Sequence, residues 1–100
     1  MNKADYRAYL IEQAAGFGIP SRMTDGLVSY IVDGQRPGGF LEAVLSNDLN
    51  AAVARGDDEN RKLLSNYILF LFNRAPGGCW GNRDLFESWE GMNLEEGEDD

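Results

Sequence analysis

Glycine and proline punctuate this chain at intervals that leave room only for short helices. They cluster at 16–20, 34–39 and 76–81, with single glycines at 26, 56, 91 and 97. Between those breaks apolar residues recur three and four apart, the period of an amphipathic helix. Tyr6, Leu10, Ile11 and Ala14 give a first helix from Ala4 to about Ala15. Ser21 is a candidate N-cap for a second, running to about Asp33 with Met23, Leu27, Tyr30 and Ile31 as its stripe. Gly34 stands where a C-terminal glycine is expected. Val28, Tyr30 and Val32 also alternate, so a strand over Leu27–Val32 is the competing reading. Gly26 inside the helix is unfavourable by about 1 kcal/mol against Ala, which points to close packing there.

A third helix opens at Phe40, its apolar face Leu41, Val44, Leu45, Leu49, Ala52 and Val53, and Gly56 ends the unit. Ser46-Asn47-Asp48 is either the surface of one continuous helix or a break with a new cap. Asp57 caps the next helix, to about Asn73, with Asp58 and Glu59 favourable in its first turn. Residues 63–72 are apolar almost all round, the pattern of a central helix in a small bundle. Asn82 caps a last short helix through Glu90 that carries Leu85, Phe86 and Trp89. The expected fold is all-α: a compact single-domain bundle of five to six short helices packed around residues 63–72. Residues 1–91 form the helical domain, and residues 92–100 form an acidic tail that frays. One hundred residues, 43% of them hydrophobic, suffice for one modest core.

Charge is distributed very unevenly. Residues 1–83 hold nine acids and nine bases, whereas Asp84 onward holds eight acids and no base. That argues against direct nucleic-acid binding, which needs clustered Lys and Arg, and for a partner with a basic surface. The acidic end reads either as a solubilising tail or as an electrostatic lure that imitates phosphate. Asp84, Glu87 and Glu90, spaced along a helix, suit the second role better than the segment after Leu94.

Catalytic chemistry finds little support. There is no histidine, the commonest general base and metal ligand. Cys79, the single cysteine, has neither a disulfide partner in the chain nor an evident activator, so a buried thiol beside a packed Trp80 is expected. Asp57-Asp58-Glu59 lacks the ligand spacing of a calcium loop, and helix capping accounts for it. Pro37-Gly38-Gly39 lacks the flanking residues of a phosphate loop, and reads as a turn that brings Phe40 into the core. Asp48 would interrupt the apolar stripe of a continuous third helix. It is either structural, as a cap or an acceptor for the Trp80 indole, or a binding residue on an exposed apolar patch. No enzyme activity, metal or cofactor is expected. A signal peptide and a bilayer-length apolar run are both missing, so a soluble, unprocessed protein, monomeric when free, is expected.

Three motifs carry a resemblance. Pro37-Gly38-Gly39-Phe40-Leu41-x-Ala43-Val44-Leu45-x-Asn47-Asp48-Leu49, then Asp58-x-Asn60, then Ala75-Pro76-x-x-Cys79-Trp80-Gly81 resemble a group of small phage and prophage proteins, over about residues 19–89. In length and acidity the chain is also similar to type I-F anti-CRISPR proteins. The resemblance implies action in the cytoplasm of an infected bacterium, by binding the crRNA-guided surveillance complex. The implied site is the junction of its large subunit with the adjacent backbone subunit, where target DNA is first opened. Target DNA binding would be blocked sterically and by occupying lysines meant for phosphate. From the residues themselves, the expected partner-binding surface comprises Asp33, Glu42, Asn47, Asn50, Asp57, Asp58, Glu59, Glu87 and Glu90. The competing readings are a phage adaptor protein and a homo-oligomeric structural protein.

Overall fold

Short polar side chains start four of the helices. Asn2, Asp48, Asp57 and Asn82 each accept a hydrogen bond from the amide three residues on, at 2.8–3.1 Å, meeting donors that a helix start leaves open. In the computed structural model, which describes residues 1–94, the elements are α1 (Lys3–Gly16), α2 (Ser21–Asp33), α3 (Gly39–Leu45), α4 (Leu49–Arg55), α5 (Asp58–Lys62), α6 (Leu64–Arg74), a 3-10 turn (Gly77–Cys79) and α7 (Arg83–Ser88). The described residues contain no strand, so Leu27–Val32 is helical. Ser21 is the first residue of α2, and Pro20 holds the cap position without a side-chain bond.

Two expected helices are each divided. The Phe40–Gly56 unit breaks after Leu45. Ser46 Oγ donates back to the Glu42 carbonyl at 2.8 Å. Asn47 adopts a left-handed φ of 61°, and the amides of Asn47 and Asp48 return to the carbonyls of Val44 and Ala43. This is a Schellman closure with Asn in the glycine position. Asp48 then caps α4 and is exposed, so the cap reading holds and no carboxylate among the described residues is buried. The Asp57–Asn73 unit bends at Leu63, where α5 gives way to α6. Across that junction the Tyr67 hydroxyl donates to Asn60 Oδ1 at 2.7 Å, inside the core.

Helix α6 lies against α1, α3 and α5, in keeping with packing around residues 63–72, while α2 contributes the most buried residues. Six of the thirteen residues of α2 are buried, and Leu41 Cδ1 lies 3.4 Å from where a Cβ on Gly26 would stand. By contrast α6 buries Tyr67, Phe70 and Leu71 but leaves Leu69 51% and Phe72 76% exposed. Helix α1 lies along α2, and Leu10 and Ala14 are fully buried. Phe40 enters the core as expected and meets the Tyr67 ring edge-on at 5.3 Å.

The chain from Cys79 to Met92 is fastened onto the end of α2. The Tyr30 hydroxyl donates to the carbonyls of Cys79 (2.8 Å) and Phe86 (3.2 Å). Arg36, leaving α2, donates to the carbonyls of Phe86, Glu87 and Trp89 and so caps the C-terminus of α7. In return the Trp89 indole N–H is shared between the carbonyls of Tyr30 and Ile31, and the Met92 amide donates to Val32. Gly34 and Gly91, both at positive φ, let the two backbones touch: a Cβ on Gly34 would lie 2.6 Å from the Glu90 carbonyl carbon. Replacing Tyr30 by Phe leaves buried carbonyls short of a donor. It should lower stability by about 1–3 kcal/mol, read as a shift in the urea midpoint at constant m-value.

Candidate functional site

Most of the acids expected to face a partner are held by the protein's own arginines. Asp33 accepts from Arg7 at 2.8 Å and lies 3.8 Å from Lys3. Arg22 bridges Asp57 (2.9 Å) and Glu59 (2.8 Å). Arg61 holds Asp58 at 2.7 Å, although that carboxylate stays 90% exposed. Arg83 bonds Glu42 at 2.8 Å and lies 3.8 Å from Glu87. Glu90 is exposed and forms no ion pair among the described residues, and Asn47 and Asn50 are exposed at the α3–α4 corner. The nine positions are therefore dispersed around the molecule. Asn47 and Asn50 lie together with Asp48, and Glu42 and Glu87 meet at Arg83.

Asp57 shows what such engagement does. The Asn60 amide, and then Arg22, hold its carboxyl below the usual carboxylate range. This favours the folded state above the unfolded pKa and fades as acid protonates the group.

A second feature lies where no charge pattern pointed. Helices α3, α4 and α6 enclose an open groove of about 280 Å³ with Ala43, Val44, Leu49, Ala52, Leu64 and Ile68 as apolar walls, and Asn47, Asp48 and Ser65 as its polar lining. Leu49 (67% exposed) and Val53 (44%) share one face of α4, four residues apart. On α6, Ser65, Ile68, Leu69 and Phe72 recur at i, i+3, i+4 and i+7, one continuous stripe. The apolar surround of residues 63–72 was the available signal: half of it covers the core and half remains outside. Such an exposed apolar face is characteristic of interaction surfaces.

Reactive chemistry is scarce. Burial pushes the Cys79 thiol up to about 12, so thiolate is negligible at neutral pH. Trp80 packs against the core, whereas the indole that contacts backbone carbonyls is that of Trp89. Burial likewise raises Tyr30 and Tyr67 to about 12, each with its hydroxyl hydrogen-bonded. Among the described residues no group of three or more His, Cys, Asp or Glu is arranged to hold a metal, and no helix is long and apolar enough to cross a membrane. No family model, curated protein or solved structure matches this chain.

Two measurements test this description. Native protein at pH 8 should leave Cys79 unlabelled by an aromatic disulfide reagent over a period in which urea-unfolded protein reacts completely. Asp57→Asn keeps a capping side chain but removes the charge. It should flatten the loss of stability below about pH 4, where an unperturbed Asp titrates, in an acid-unfolding series.

Proposed function

We propose that this protein acts by binding rather than by catalysis, as a stoichiometric inhibitor that docks on a basic, nucleic-acid-handling protein assembly. The sequence resemblance makes that assembly the type I-F crRNA-guided surveillance complex. The docking site is the junction of its large subunit with the adjacent backbone subunit, in the host cytoplasm, and the consequence is loss of target DNA binding. One observation supports the reading most. The arginines are already engaged internally, while Asp5, Glu12, Asp25, Asp84 and Glu90 form no ion pair among the described residues. The chain as a whole carries −8. Uncompensated negative charge draws the protein to surfaces built for phosphate and speeds encounter with them.

The exposed apolar residues of α4 and α6 favour a second reading, a homo-oligomer joined through that face. Light scattering coupled to size exclusion separates the two, since an inhibitor of this kind runs as a monomer. The direct test is a pull-down with purified surveillance complex followed by a target-DNA shift assay. Co-purification in fixed ratio, weakened by added salt, with loss of the shifted DNA band is expected. No association, or association with unhindered DNA binding, sinks the proposal.

A further inference from the structure

We propose that the groove between α3, α4 and α6 is the docking centre, and that it receives an apolar side chain from a partner segment flanked by lysine or arginine. This deepens the binding reading above and rests on it. The groove offers two chemistries side by side. Its walls are aliphatic, and its size is at the lower limit of small-molecule pockets, roughly 300–1,000 Å³ against about 280 Å³ here. An inserted side chain fits that space better than a cofactor. The apolar surface then continues outward over the exposed Leu49, Leu69 and Phe72, which a docked partner would bury around the anchor where interface energy concentrates.

One end of the groove is negative. Asp48 belongs to its lining, and its charge acts on Arg83. The Glu42 bond, with the added charges of Glu42, Glu87 and Asp48, raises the Arg83 guanidinium above its ordinary value. Asp84 is adjacent in sequence and exposed. Three carboxylates, those of Glu42, Glu87 and Asp48, therefore act on one guanidinium, and Asp48 among them belongs to the groove lining. Lys62, the last residue of α5, is exposed and without an ion pair among the described residues. The complementary segment carries its basic groups toward α7 and its apolar anchor toward α6. An acidic partner, or an uncharged one, leaves the Arg83 cluster without its counter-charge.

The test uses full-length protein labelled with 15N and a synthetic amphipathic helix made only of leucine and lysine. Amide shifts confined to residues 47–53 and 64–72 are expected, reduced by salt. Leu49→Asp should abolish them. Asp48→Asn, which retains a good N-cap, combined with Glu87→Gln should weaken binding at least threefold at low salt, while Asp25→Asn, in the separate pocket beside Ile11 and Ala15, should not. Melting curves certify that each variant is folded. Absent shifts, shifts centred on Ile11 and Asp25, or concentration-dependent shifts of the same groove amides without peptide each overturn the proposal, the last by naming a second copy as occupant. The same variants on the surveillance complex separate this idea from the one it rests on. If wild type does not bind the complex but the peptide maps to the groove, the partner assignment falls alone. If wild type and Leu49→Asp bind the complex equally, the docking site falls alone.

Discussion

The end of α2 and the end of α7 cap one another, and the placement of the chain after Cys79 depends on that exchange. A helix C-terminus leaves its last carbonyls without intrahelical donors. Here the carbonyls of Tyr30, Ile31 and Val32 take donors from Trp89 and Met92, and those of Phe86, Glu87 and Trp89 take the Arg36 guanidinium. The Tyr30 and Phe86 rings stack at 5.2 Å beneath that guanidinium. Six-residue α7 is too short to persist alone, so this fastening is what gives Arg83 and Asp84 a fixed position relative to α3 and α4.

Internal ion pairing decides which negative charges remain available to a partner. Arg7, Arg22, Arg61 and Arg83 each hold at least one carboxylate, and exposed pairs of this sort contribute little to stability. Their larger effect is on the outer field of the molecule. Paired acids present a weak dipole, whereas Asp48, Asp84 and Glu90 present charge. Net charge alone thus describes how the protein is attracted, and the pairing pattern describes where it can be held.

How far the residues foretold this depends on the range of the interaction. The caps at Asp57 and Asn82, the stop at Gly34, the burial of Phe40 and Cys79 and the all-helical class all follow from local chemistry, and all appear. The break at Asn47 was one of two local possibilities. Only the pairing of its amide and that of Asp48 with α3 selects it. Ion pairs joining residues 26 to 41 positions apart have no local signature, and so Asp33 and Glu42 look free in sequence when they are not. The apolar surplus of residues 63–72 was visible, but which half of it is covered depends on α1 and α3, helices distant in sequence. The groove had no separate signal for the same reason.

The mutual capping also sets an order of events during synthesis. The hydroxyl of Tyr30 must wait for a carbonyl 56 residues downstream, and the carbonyl of Tyr30 for an indole 59 residues downstream. Until that later segment is made, α2 has an open end, and its apolar side at Tyr30 lacks the Phe86 ring that covers it. Contacts between α1 and α2 or α3 and α4 are local and close early, whereas this closure carries a long loop with it. The bundle therefore stays open at the Tyr30 end of α2 until residues 86–92 join it, and the surface that Arg83 organises beside the groove is completed with them.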